Sequence, residues 1–321
     1  MSRPVLAALA AVVLSAAPAA AQSDYPSKPV KIIVPAAAGG GTDTTARMIA
    51  DHLSRTMGQN FYVENRGGGG ALIGTEAAAR SAPDGYTLLM TPSTLTTMHI
   101  VRKAMPIDTS RDFAPITQFI ILPQVLVVHP SVPAQTFAEF LALARKEPGK
   151  LSYGSAGPGT APHMAMELLK SKAGIDLQHV PYRGVAPALQ DVLAGRVSGM
   201  IVNTLIAKPH IEAGNLRALG VTSLKRARPL PNVPTIAESG LADYRALQWF
   251  GMVAPAGTPA PIVERLQKEI AEVLKTPAMQ QRLDIEGADA VGNSPAEFAK
   301  VIQEEIATWN EVAAAAGIKP Q

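Results

Sequence analysis

The chain has 321 residues, 47% hydrophobic, 17% charged and 5% aromatic, and it contains no cysteine. That length predicts about two globular domains, and the apolar fraction excludes disorder as an overall description. Lys plus Arg at 29 against Asp plus Glu at 26 gives a net charge of +3, too weak an excess, with too few aromatics, to suggest nucleic-acid binding. The densest basic cluster, Lys225, Arg226 and Arg228, runs into Pro229 and Pro231 and reads as a solvated loop. Without cysteine there are no disulfides, thiolate nucleophiles, cysteine zinc sites or iron–sulfur ligands.

Residues 1–21 read as a secretory signal peptide. Arg3 is a minimal basic start, residues 5–17 are apolar, and Ala19 and Ala21 supply the small residues for cleavage before Gln22. The apolar run is too short to span a bilayer, and the absence of cysteine excludes a lipid anchor. The expected mature protein is therefore exported and water-soluble.

From residue 31 the pattern alternates between strand and helix. Residues 31–34 form a β-branched strand that stops at Pro35, and residues 36–41 form a glycine-rich loop. A helix follows from Thr42, with Ala46, Ile49, Ala50, Leu53 and Met57 at helical spacing. Gly58 ends it. Strand 61–64, helix 71–79, a Pro83-Asp84-Gly85 turn and strand 86–90 continue the series. A second series gives strands 125–128, 151–154, 179–182, 197–202 and 218–222, with helices 137–145, 161–172 and 185–193. Two long amphipathic helices, 261–274 and 297–315, close the chain with no strands between them. They must return to cover the first sheet.

The expected fold is therefore α/β and two-lobed, each lobe a mainly parallel sheet flanked by helices. Residues 22–123 with 250–321 form lobe 1, and residues 124–249 form lobe 2. Crossings near residues 121–125 and 250–254 form the hinge between them.

Ligands of open α/β sheets sit beyond the carboxyl ends of the strands. The first loop there is Ala38-Gly39-Gly40-Gly41-Thr42-Asp43, where backbone N–H groups before a helix can converge on an anion. The second is Ser155-Ala156-Gly157-Pro158-Gly159-Thr160, with His163 on the first turn of its helix. Ser93 and Thr94 lie in a hydroxyl-rich stretch after a third strand, Arg183 follows a fourth and Asn203 a fifth. Such donor-rich surfaces facing across a cleft suit a small molecule bearing carboxylates.

Sharper chemistries fall short by one residue each. Gly39-x-Gly41-x-x-Thr44, with Glu64 further on, imitates a dinucleotide fingerprint but lacks its last glycine. Tyr153 stands where a G-x-S-x-G elbow around Ser155 needs glycine, leaving an exported hydrolase using Ser155 and His163 as the alternative function. His163 and Glu167 share a helix face at i, i+4 but carry no companion metal motif. No metal and no cofactor is expected.

Several motifs together resemble one family. They are Tyr25-Pro26-Ser27-Lys28-Pro29, Gly39-Gly40-Gly41-Thr42-Asp43, Val63-Glu64-Asn65-Arg66, Pro83-Asp84-Gly85-Tyr86, Tyr153-Gly154-Ser155, His179-Val180-Pro181-Tyr182 and Trp249-Phe250-Gly251. In this order they are similar to the substrate-binding proteins of tripartite tricarboxylate transporters, the Bug (Bordetella uptake gene) family. The resemblance implies a type II-like periplasmic binding protein that closes on a small carboxylate, either a di- or tricarboxylate or an aromatic acid. It also implies a monomer that delivers its ligand to a permease of one large and one small membrane subunit. A ligand sensor docking on a receptor is a further alternative. Carried over by position, the binding residues are Ala38, Gly39, Gly40, Gly41, Thr42, Asp43, Ser93, Thr94, Ser155, Gly157, Thr160, His163, Arg183 and Asn203. Two departures from the family pattern stand out. Ala36 replaces an aromatic residue, which enlarges the pocket, and Val202 replaces an acid, which disfavours an amino-acid ligand.

Overall fold

The computed structural model describes residues 25–39, 41–182, 184–318 and 320. The expected signal peptide, Gly40 and Arg183 lie outside the described residues.

The first sheet has six strands in the order β11-β4-β10-β3-β1-β2. They are β1 (Val30–Val34), β2 (Phe61–Asn65), β3 (Thr87–Pro92), β4 (Phe113–Leu122), β10 (Gln248–Pro255) and β11 (Asp289–Ala290). The second sheet has five, in the order β7-β6-β8-β5-β9. These are β5 (Gln124–Val128), β6 (Ser152–Ser155), β7 (Gln178–Pro181), β8 (Gly199–Asn203) and β9 (Arg217–Val221). Two sheets, each with its own helices, make the molecule a two-lobed α/β periplasmic-binding-protein fold of type II architecture.

Both sheets are mixed, which corrects the expectation of mainly parallel ones. β1 runs parallel to β2 and β3, and β6 runs parallel to β7 and β8. The antiparallel pairings involve β4, β5 and β10. These strands carry the chain between the sheets, so they enter and leave each sheet against the direction of its parallel half. Only Pro123 separates β4 from β5. Residues 250–254, expected at a crossing, lie inside β10 between β3 and β4, so the return crossing precedes Gln248.

The helices follow from local chemistry. α1 (Gly41–Met57) buries Ala46, Ile49, Ala50, Leu53 and Met57 at three- and four-residue steps. α2 (Leu72–Ala79) follows a run of glycines. α3 (Phe137–Lys146) starts where the Thr136 side chain accepts from the Glu139 N–H. α4 (Ala161–Ala173) stops at Gly174, which is left-handed at φ 61°. α5 (Val185–Leu193), α6 (Thr204–Glu212), α7 (Ala260–Val273), α8 (Pro277–Glu286) and α9 (Pro295–Ala315) complete the set. The sequence reading missed α6, α8, β4 and β11; of these α8 and β11 lie between the closing helices, and β11 corrects the expectation that no strand lies there.

α9 opens with a full capping box: Ser294 and Glu297 satisfy each other's backbone N–H, and Pro295 fills the first turn. Its early residues Phe298 and Ile302 pack with Trp249 in the first lobe. Its late residues Trp309, Val312 and Ala313 pack with Met164 and Leu168 of the second lobe. One helix therefore enters both cores.

Candidate functional site

The carboxyl ends of β1, β2 and β3 face those of β6, β7 and β8 across a cleft, and two cavities open there. One of about 730 Å³ is lined by Pro35, Ala36 and Gly68 to Ala71 from the first lobe, and by Ala156 to Pro158, Thr160 and Tyr182 from the second. Pro92, Thr94, Val101, Arg102 and Gly184 complete its wall among the described residues. The other, about 750 Å³, is lined by Gly39, Gly41, Thr44 and Phe250, by Asn203, Leu205 and Ile206 of the second lobe, and by α8.

The sequence-derived candidates divide by exposure. Gly157, Thr160 and Thr94 line the first cavity; Gly39, Gly41 and Asn203 line the second. Ala38 is exposed and Thr42 half-buried beside them. Asp43, Ser93, Ser155 and His163 are buried, and for three of these the structure shows what they hold. Gly40 and Arg183 cannot be placed, since they lie outside the described residues.

Asp43 is the staple of the first glycine loop. Its carboxylate accepts from the Gly39 N–H at 2.8 Å, the Asn65 amide at 2.9 Å and the Arg47 Nε at 3.1 Å. Burial pushes this carboxyl up, but the Arg47 side chain and the two other donors more than offset it and hold it below the usual range. Asp43→Ala would leave the part-buried amide donors of Gly39 and Asn65 without this acceptor. We expect it to lower stability by about 1–3 kcal/mol and to weaken ligand binding, read from urea midpoints and ligand titration of the same variant.

Ser155 pairs with His179 rather than with His163, its expected partner. Its Oγ lies 2.7 Å from His179 Nε2 and accepts from the Gly157 N–H at 3.1 Å. His163 Nδ1 accepts from the Gly159 N–H at 3.2 Å, so this side chain fixes the loop from below. The rings of Tyr153, His179 and His163 stack in sequence, with centroids 4.8 and 4.3 Å apart. Glu167, the imagined co-ligand of a metal, accepts from Tyr153 Oη and from Lys170 Nζ at 2.9 Å. Burial pushes both imidazoles down to about 4, so they are neutral at pH 7. Ser155 exposes none of its surface in this structure. The stack is a scaffold.

The cleft also recruits residues the sequence reading did not single out: Gly68, Gly69, Gly70, Ala71, Arg102 and Tyr182. The glycine run at 67–70 follows a strand and precedes a helix, the same signal that marked residues 39–41. Gly68 to Gly70 and Ala71 all have positive φ, a left-handed run that alanine tolerates poorly. Gly74 explains how tightly the loop beneath is held, since a Cβ there would meet Arg66 O at 2.6 Å and Pro35 Cα at 2.9 Å. Val202, by contrast, faces the second lobe's core with Val125 and Met200. It is not on the cleft, and its replacement of an acid carries no information about the ligand's charge.

A family model described as tripartite tricarboxylate transporter family receptor matches residues 45–318. The chain belongs to this family. BugT of Bordetella pertussis is 35% identical over 306 residues, covering 95% of this chain and 94% of BugT. Among solved structures, Rpa4515 of R. palustris with adipate superposes with a TM-score of 0.84 at 38% identity, covering 93% of this chain and 100% of that one. MatC from Rhodopseudomonas palustris with bound malate gives 0.79 at 30% identity, over 90% and 100% of the two chains. This tripartite tricarboxylate transporter receptor is therefore a periplasmic solute-binding protein, a carrier and not an enzyme.

Proposed function

We propose that the ligand is a small aliphatic di- or hydroxycarboxylate of the adipate or malate kind, held between the lobes beneath the two glycine loops. The observation that carries this reading is the 730 Å³ cavity, lined from both lobes by glycine-rich loops and, among its described residues, by no acidic side chain. Two similar solved structures hold adipate and malate. Ala36 on its wall leaves room for a chain longer than malate.

Closure is the working step: a ligand touching both lobes favours the state in which they meet. The lobe limits we take are 22–123 with 250–321 and 124–249, with the second boundary drawn back to Gln248, where β10 enters the first sheet. The exported chain begins at Gln22, acts as a monomer, and delivers to one large and one small membrane subunit.

A thermal-shift panel tests the ligand class. Adipate, succinate, malate, citrate, benzoate, aspartate and glucose are each added to the purified periplasmic protein. Ligand at about 1,000 times its dissociation constant adds about 4 kcal/mol, enough to raise the midpoint by several degrees. The expected shift is confined to the aliphatic carboxylates. A shift with glucose alone, or none with any carboxylate, overturns the reading.

A further inference from the structure

Arg102 is the one charged side chain among the described residues that line the 730 Å³ cavity. It is half-buried, and no acidic side chain is among the described residues that line the cavity with it. Its guanidinium donates instead to backbone carbonyls: to Met98 O through Nη1, and to Gly69 O and Gly70 O through Nη2. Its burial works against the charge. A guanidinium is always ionised in a protein and presents a planar fork suited to a carboxylate. Among carbonyls alone, part of that capacity is unused.

Its position matters as much as its charge. The preceding residues Ile100 and Val101 are packed in the second lobe's core. Thr97 Oγ1 donates to Gly159 O at 2.6 Å, tying the same segment to the second-lobe loop. The Arg102 side chain then reaches the glycine loop after β2, in the first lobe. It stands where both loops meet, and a Cβ on Gly70 would lie 2.9 Å from its Nη2. The glycines are what give it access.

We infer that Arg102 sets the charge selectivity of the cleft: its guanidinium takes one carboxylate of a dianionic ligand in place of the Gly69 and Gly70 carbonyls. The inference rests on the carboxylate reading above. Backbone N–H groups are dipoles that serve one carboxylate well, but a second negative charge taken out of water needs a full counter-charge. Among the described lining residues only Arg102 provides it. The Met98 carbonyl keeps the fork anchored while its other arm changes partner.

Calorimetric titration with matched acids tests this. Adipate is compared with hexanoate, and succinate with butyrate, on the wild-type protein and on Arg102→Gln and Arg102→Lys. The expected result is a loss of roughly 10- to 100-fold for the dicarboxylates in Arg102→Gln, with monocarboxylate affinity changed less than about threefold. Arg102→Lys should fall between, because it keeps the charge and loses the fork. An unchanged dicarboxylate preference in Arg102→Gln overturns the inference and leaves the carboxylate reading standing. Equal losses for both acid types also overturn it, since they make Arg102 a prop for the loop. If Arg102→Gln does not fold, Arg102→Lys decides by the same comparison. A wild-type protein that binds no carboxylate overturns the ligand reading, and the inference falls with it.

Discussion

Acidification from pH 6.5 to pH 4 should cost the protein about 1.4 kcal/mol per pH unit for each of His163 and His179 while that ring titrates. Both imidazoles are driven from an ordinary 6.5 down to about 4, chiefly by burial. The folded state therefore holds these rings neutral where the unfolded chain protonates them. The unfolded state binds more protons across this window, so stability is complete above pH 6.5 and drains away as pH falls. The rings stack at 4.3 Å, and each charge opposes the next, so the second protonation lies lower than the first. Glu305 works in the opposite direction. Burial lifts its carboxyl from 4.5 to about 7, against the pull of its donors Trp249 and Thr96. Here the folded state binds the extra proton, and its contribution declines as pH rises from 4.5 to 7. Two histidines outweigh one glutamate below pH 6.5, so the stability maximum should sit near that value. Urea midpoints at pH 4.5, 5.5, 6.5 and 8 check it, with His163→Gln expected to flatten the acid limb. A midpoint that is constant from pH 6.5 to 4.5 would show that the stack carries no such linkage. Asp43, whose carboxyl is held low by its donors, loses its contribution only at still lower pH.

Trp249→Ala should be the most damaging single substitution, at about 3–5 kcal/mol. The indole is 1% exposed and meets Phe298 edge-on, with ring centroids 5.3 Å apart. Its Nε1–H also donates to both Glu305 oxygens at 2.8 and 2.9 Å. Removing it opens a cavity where β10 meets α9 and takes from Glu305 one of its donors, leaving Thr96 Oγ1 at 2.8 Å and the Trp309 side chain beside it. Trp249→Phe separates the two effects. It keeps most of the ring packing and loses the N–H, so a cost of about 1–3 kcal/mol is expected. It should also push the Glu305 carboxyl higher still, moving the alkaline decline beyond pH 7. Equal stability of Trp249→Phe and wild type at pH 8 would remove Glu305 from this account.

The parts legible in the sequence are those governed by local chemistry. The loop at Gly39 to Asp43 could be read because three glycines sit between a β-branched strand and an amphipathic helix. The equivalent run at 67–70 carries the same signal between strand 61–64 and helix 71–79, yet it is not among the sequence-derived candidates. β4 was illegible for a different reason. Pro115 interrupts it, and it is tolerated because the ladder to β10 is irregular there, between Met252 and Val253. α8 buries only Met279, Leu283 and Glu286, too narrow a stripe for periodicity to reveal. The Ser155–His179 pair spans 24 residues. It depends on β6 and β7 lying side by side, with Tyr153 opposite His179 in register, and neighbouring strands are not read from spacing. Arg102 was silent too: a lone arginine in a loop acquires meaning only from the carbonyls that surround it.

The passage of α9 through both cores has a mechanical consequence. From Phe298 in one lobe to Val312 in the other, the helix spans about 21 Å at 1.5 Å per residue, and its hydrogen-bonded backbone cannot stretch. It acts as a strut of fixed length. The lobes cannot slide apart along it; they can only swing about it, and each loop travels in proportion to its distance from that axis. A few degrees of swing at the strut becomes an opening of ångströms at a remote rim, so the energy of gripping a small anion is spent on angle rather than on separation.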